Sequence, residues 1–191
     1  MRPAAIAAAV LLLAGAYVVM RGGQAALDAS SGTAGDDDSN ILQDTYDTMT
    51  STITNWPAGS GPYQQLIISS ADNTDVPVSI LAWLLWKESR YSPSIIDGTK
   101  RSRVGAMGIA QFMPATAADF GIDPLDPEQA IPAAAQYLAR LYRSRGLWSE
   151  ALAAYNWGIG NVQRKGLAAA PAETVNYYTS ILSLAGMGAT A

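Results

Sequence analysis

Seventeen uncharged residues, Ala4 to Met20, run between Arg2 and Arg21. Coiled as a helix they reach about 26 Å, close to the roughly 30 Å of a hydrocarbon core. A secretory signal has a shorter apolar core that ends in a small-x-small cleavage site. Ala14-Gly15-Ala16 has that form but lies inside the run. The full length therefore predicts a retained transmembrane helix over residues 1–21, with a cleaved signal as the competing reading. Its orientation is weakly set, because Arg2 and Arg21 oppose each other. Residues 22–61 follow as an acidic, flexible tether. Through residue 40 they are small and polar, too poor in apolar surface to offset the entropy of ordering. The Asp36-Asp37-Asp38 run reads as solvated linker rather than a calcium site.

From about Tyr63 the pattern takes a helical period. After Pro77, Leu81, Leu84, Leu85 and Glu88 fall on one helical face, so a carboxylate continues an apolar stripe. Pro114 opens a short helix over Ala115–Phe120 that Gly121 closes. Asp126-Pro127-Glu128-Gln129 combines an N-cap, proline at the first helical position and a capping-box glutamine. The helix it opens carries Ile131, Ala134, Leu138, Leu141 and Tyr142 on one side and ends at Gly146, with Pro132 as a kink or a delayed start. Trp148–Asn156 is a further helix, interrupted by Gly158 and Gly160. The last, Ala172–Ala185, is expected to turn Val175, Tyr178, Leu182 and Ala185 inward. No strand pattern is convincing, and Val104–Ala110 is rich enough in glycine to be a loop or short ribbon. The expectation is a mainly α globule of short helices over residues 62–185, then a disordered tail over residues 186–191.

Composition narrows the chemistry. The chain has no cysteine and no histidine, so disulfides, Cys/His metal sites and nucleophiles activated by histidine are excluded. Acid–base work near neutral pH falls to carboxylates, lysine or tyrosine. No metal and no cofactor is expected. Alanine fills 34 of 191 positions, consistent with helices. Residues 22–75 hold eight acidic side chains and no basic one, whereas residues 76–191 hold ten basic and eight acidic, a net of +2. No concentrated basic face suggests nucleic acid.

Glu88 is the candidate acid. At the end of an apolar helix face, burial raises a carboxyl pKa, and a carboxyl kept protonated near neutral pH can donate to a leaving oxygen. On position alone, a helix-end glutamate paired with Lys87 or Arg90 is the simpler reading. The surroundings favour chemistry. Glu88-Ser89-Arg90-Tyr91-Ser92-Pro93, then Gly105-Ala106-Met107-Gly108-Ile109-Ala110-Gln111-Phe112-Met113-Pro114, then Ala154-Tyr155-Asn156-Trp157-Gly158-Ile159-Gly160-Asn161-Val162, then Glu173-Thr174-Val175-Asn176-Tyr177-Tyr178 stand in this order. Together they resemble the soluble lytic transglycosylase family, relatives of goose-type lysozyme, over roughly residues 63–182.

The resemblance implies a lysozyme-like domain that cleaves the β-1,4 bond between N-acetylmuramic acid and N-acetylglucosamine in peptidoglycan. It places Glu88 on the catalytic acid and Ser102 on a serine near the sugar acetamido group. Gln111, Met113, Tyr155, Asn156, Glu173 and Tyr177 fall on substrate-binding positions, with the Tyr155 hydroxyl near Glu88. The sequence departs from the family at Ile109-Ala110, at Trp157-Gly158-Ile159-Gly160 and in an apparent insertion, Asp97-Gly98-Thr99-Lys100-Arg101, before Ser102. Trp157 there is either a sugar platform or core packing.

Such enzymes use one carboxyl as acid and then base, closing a 1,6-anhydro ring without water. Two rivals remain. One is a hydrolytic lysozyme that needs a second carboxylate, for which Asp97 is the candidate. The other is a non-catalytic murein-binding or membrane-conduit protein. Anchor, tether and small domain suit a bacterial envelope enzyme facing the periplasm. They equally suit a phage virion protein opening the wall for genome entry, towards which the compact size leans. The expected partners are glycan strands and, through residues 4–20, a membrane.

Overall fold

Each helix starts and stops where the chain supplies a cap or a residue free to leave helical space. The computed structural model describes residues 55–188. Among them the α-helices are α1 (Gln64–Asp72), α2 (Val78–Ser89), α3 (Pro93–Ile96), α4 (Pro114–Phe120), α5 (Pro127–Arg145), α6 (Trp148–Trp157), α7 (Ile159–Lys165) and α8 (Ala172–Leu184). Single 3-10 turns, Gly61–Tyr63 and Leu167–Ala169, precede α1 and follow α7. Extended pairing among the described residues is one antiparallel bridge, Met107 with Phe112.

The strongest boundaries are those of α5. Asp126 accepts the Glu128 N–H at 3.0 Å. Gln129 donates to Asp126 at 2.7 Å and accepts the Asp123 N–H at 3.1 Å, so it reaches one turn behind the cap. Pro132 does not interrupt the helix. Its missing N–H removes the usual helical partner of the Glu128 carbonyl, at a residue that is exposed. Gly146 closes the helix in the left-handed region at φ +82°.

Helix α6 is the centre of the fold, packing against α5, α7 and α8, while α1 packs on α5 and α2, and α8 on α2. Fully buried Leu81, Leu84 and Leu85 of α2, Ile131, Ala134 and Leu138 of α5, Ala151, Leu152 and Ala154 of α6, and Ile181 and Leu182 of α8 make the core. Tyr142 and Trp148 stack at 3.9 Å across the α5–α6 corner, where Arg145 pairs with Glu150 at 2.7 Å.

Three expectations change. The inward face of α8 is Thr174, Tyr177, Ile181 and Leu182; Val175, Tyr178 and Ala185 are only half-buried, so the face is rotated by about one residue. Gly158 does break the chain, at φ +90°, but Gly160 lies inside α7 rather than in a loop. Residues 186–187 are not a loose tail. The Gly186 N–H bonds the Ser183 carbonyl at 3.1 Å and the Met187 N–H bonds that of Leu182 at 2.8 Å, a Schellman closure with Met187 packed on the core. The predicted transmembrane helix and all of the tether before residue 55 lie outside the described residues. Among those described, no helix is long and apolar enough to cross a membrane.

Candidate active site

Glu88 is the penultimate residue of α2, and the residues after it hold it still. Ser89 is fully buried; its hydroxyl donates to the Leu85 carbonyl at 3.0 Å and accepts the Tyr91 N–H at 3.2 Å. Arg90 and Tyr91 both sit in the left-handed region, at φ 55° and 51°. That conformation costs a non-glycine residue about 1–2 kcal/mol. Side-chain anchors offset it: the Tyr91 hydroxyl donates to the Ala82 carbonyl at 2.8 Å, and the Arg90 guanidinium lies 3.6 Å over the Trp86 ring. The reversal leaves Glu88 at the helix end, facing α8.

The glycine-rich segment is a tight hairpin-like turn. Met107 and Phe112 exchange both backbone bonds at 3.0 Å. Gly108 has φ +73°, and a Cβ there would stand 1.7 Å from the Pro124 carbonyl oxygen, so no other residue fits. Gln111 is left-handed at φ 49° and its amide donates to the Gly108 carbonyl at 2.9 Å, closing the turn on itself.

Hydrogen bonds join the four segments. The Tyr155 hydroxyl donates to the Ala110 carbonyl at 3.0 Å, tying the third segment to the second. Thr174 donates to Asn156 Oδ1 at 2.9 Å, tying the fourth to the third. The Tyr177 hydroxyl donates a short bond to Glu88 Oε1, tying the fourth to the first. Lys87 donates to Ser180 Oγ at 2.8 Å beside it.

Burial pushes the Glu88 carboxyl up from 4.5 to about 7, against the Tyr177 bond and the Lys87 charge, which both favour the ionised form. The Tyr155 and Tyr177 hydroxyls are pushed well above the usual tyrosine value, by burial first and by Glu88 next, so both stay protonated donors. Glu88 nevertheless keeps an opening. It is half-buried and lines a cleft of about 560 Å³ with Lys87, Asn156, Glu173, Asn176 and Tyr177. A protonated carboxyl at the wall of a polar cleft can give a proton to a bound oxygen and, once ionised, take one back.

Of the expected site residues, Asn156, Glu173 and Tyr177 line that cleft with Glu88. Tyr155 is not among the lining residues; its hydroxyl is close enough to Glu88 to feel its charge, as expected, but bonds the Ala110 carbonyl, and the hydroxyl that bonds the acid is that of Tyr177. Gln111 and Met113 are not among the lining residues; Gln111 braces its own turn and Met113 is exposed at the start of α4. Ser102 also stands apart, its hydroxyl accepting the Val104 N–H at 3.2 Å in the preceding loop. Asp97 is exposed, and its carboxylate caps its own turn on the Thr99 N–H at 2.8 Å, a bond that holds its pKa below the usual value. It is not among the residues that line the cleft. Trp157 is half-buried against the core edge, with Lys165 Nζ 5.3 Å from its ring. Lys87 and Asn176 are the lining residues that sequence reasoning missed. Asn176 carried a signal, standing three residues after Glu173 on the same helical face.

Helix order, a central buried helix and an acid at a helix end define a mainly helical, lysozyme-like domain. The profile of the transglycosylase SLT domain matches residues 65–177, and the chain belongs to that family. Over 140 residues it is 36% identical to a peptidoglycan transglycosylase, gp16, of Escherichia phage T7, a stretch that is 64% of this chain and 10% of that protein. It is 33% identical over 109 residues to membrane-bound lytic murein transglycosylase F of Yersinia pestis, 52% of this chain and 21% of the relative. The solved structure of an inactive glutamate-to-glutamine mutant of lytic transglycosylase Slt from Pseudomonas aeruginosa superimposes with a TM-score of 0.52 at 27% identity. That match covers 62% of this chain and 22% of Slt. The chain thus corresponds to a small part of each of these larger proteins.

Proposed function

We propose that this chain is a peptidoglycan lytic transglycosylase in which Glu88 alone serves as acid and base. The observation that carries the reading is the Glu88 carboxyl itself: protonated up to about pH 7, bonded by Tyr177 and open to a cleft. In its acid form it protonates the oxygen that links N-acetylmuramic acid to N-acetylglucosamine, while the substrate acetamido oxygen supports the anomeric carbon. The resulting carboxylate keeps the Tyr177 bond. It then takes the proton of the muramyl C6 hydroxyl as that oxygen closes on the anomeric carbon. The products are a free N-acetylglucosamine hydroxyl and a 1,6-anhydromuramyl end, and Glu88 is protonated again. General acid–base catalysis of this kind contributes about 10²–10⁴-fold.

Water needs no activation in this scheme, which agrees with the exposed, self-capped Asp97. The relatives' names, two of them describing transglycosylases of murein or peptidoglycan and one an inactive glutamate-to-glutamine mutant, support the same reaction. Residues 4–20 anchor the chain in a membrane and residues 22–61 tether the catalytic domain of residues 62–185. The phage relative favours a virion protein that opens the wall locally, with a bacterial envelope enzyme as the other setting. The test is Glu88→Gln. It abolishes clearing of murein gels with an unchanged fold by circular dichroism; clearing at the wild-type rate contradicts the assignment.

A further inference from the structure

The cleft is charged at both ends. Along α8 the side chains facing it are Glu173, Asn176 and Tyr177, with Ser180 one turn further on. Glu173 and Ser180 are seven residues apart, about 10 Å along the helix. Lys87 sits at the Ser180 end and, among the described residues, is the one cation lining the cleft. Its ammonium has three donors, and the structure employs one of them, on Ser180 Oγ at 2.8 Å. Ser180 is fixed in turn by the carbonyls of Asn176 at 2.6 Å and Tyr177 at 3.0 Å. No carboxylate of the described residues pairs with Lys87 in a salt bridge. Lys87 is therefore braced from one side and free towards the cleft.

A cation beside a general acid works against it. The charge of Lys87 favours the ionised form of Glu88, opposing the effect of burial. Burial and the nearby Arg90 in turn hold the Lys87 ammonium below its usual value, so the charge is kept there at some expense. A substrate anion placed on Lys87 offsets that opposition and keeps the proton on Glu88 at the moment of binding.

Resting on the function proposed above, we infer that Lys87 is a specificity-determining residue that receives a carboxylate of the muramyl side chain, whereas Glu173 at the far end turns that anion away. The cleft then selects an acidic glycan strand and fixes its direction. Two carboxylates have this chemistry: the free lactyl group of a stripped strand and those of an attached stem peptide. Neutral oligomers of N-acetylglucosamine have neither.

Initial rates on three substrates test the inference: peptide-bearing murein strands, strands freed of peptide, and neutral N-acetylglucosamine oligomers. Wild type cleaves at least one acidic strand with the higher kcat/KM, and the better of the two identifies the carboxylate. Lys87→Met lowers that preference by roughly ten- to a hundredfold, mostly through KM. Lys87→Arg restores most of it, and Ser180→Ala, which keeps the cation but removes its brace, loses part. Thermal melts confirm that each variant is folded. An unchanged preference in folded Lys87→Met, or a wild type that favours neutral oligomers, overturns the inference while leaving the Glu88 chemistry intact. A wild type that cleaves none of the three overturns the proposed function and this inference with it.

Discussion

Glu88→Gln tests the buried acid without any substrate. The Glu88 carboxyl titrates at about 7 in the folded chain against an ordinary 4.5. At about 1.4 kcal/mol per pH unit, the gap corresponds to a ceiling of ~3 kcal/mol. Water in the open cleft screens part of it, leaving about 2 kcal/mol. The folded state binds this proton more tightly than the unfolded chain. Its contribution to stability is therefore complete below about pH 4.5 and is lost as pH rises through about 7. Glutamine has no proton to lose. The variant is expected to match wild type near about pH 4 and to exceed it by about 2 kcal/mol near about pH 8, in urea unfolding followed by tryptophan fluorescence. A difference that stays constant across that range refutes the idea that burial holds the proton.

Two further outcomes follow from the same geometry. The groups facing Glu88 are Tyr177, Tyr155, Lys87 and, across the cleft, Glu173. Tyr177→Phe removes a hydrogen bond that favours the carboxylate, so the alkaline limb of the pH–rate profile moves up by about one unit; a limb that stays or falls contradicts the assignment of that bond. Gly108→Ala forces both a left-handed alanine and a Cβ onto the Pro124 carbonyl, and is expected to cost about 3 kcal/mol, whereas Gly105→Ala, with open space around its Cβ, costs about 1 kcal/mol. Equal melting points for the two variants would remove the reason given for glycine at position 108.

Elements with chemical punctuation are legible in the sequence. Helix α5 announces itself through Asp126, Pro127 and Gly146, and α4 through Pro114 and Gly121, because caps act within a few residues. Glu88 was legible for the same reason, as a carboxylate on a strong apolar stripe. The rest depended on packing. Tyr177 and Tyr178 are adjacent and the same residue, so periodicity does not decide which faces the core; contact with α2 does. Helix α7 carries Gly160 in its first turn and is too short for a periodic signal, yet it packs on α6. Lys87 read as a partner for Glu88, whereas its bond to Ser180 spans 93 residues of sequence and exists only once α8 lies against α2. Ser102 shows the reverse: a position inferred from similarity across an insertion, whose hydroxyl the structure shows on the Val104 N–H of its own loop and not among the residues that line the cleft.

The most direct measurement is the mass of the sugar ends released from purified murein by the wild-type chain. Ring closure by the C6 hydroxyl, with Glu88 moving the proton both ways, predicts muramyl ends lighter by one water than a reducing sugar, and their absence with Glu88→Gln. Reducing ends of full hydrated mass, carrying oxygen from labelled water, would show that a second group activates water and would contradict the single-carboxyl account.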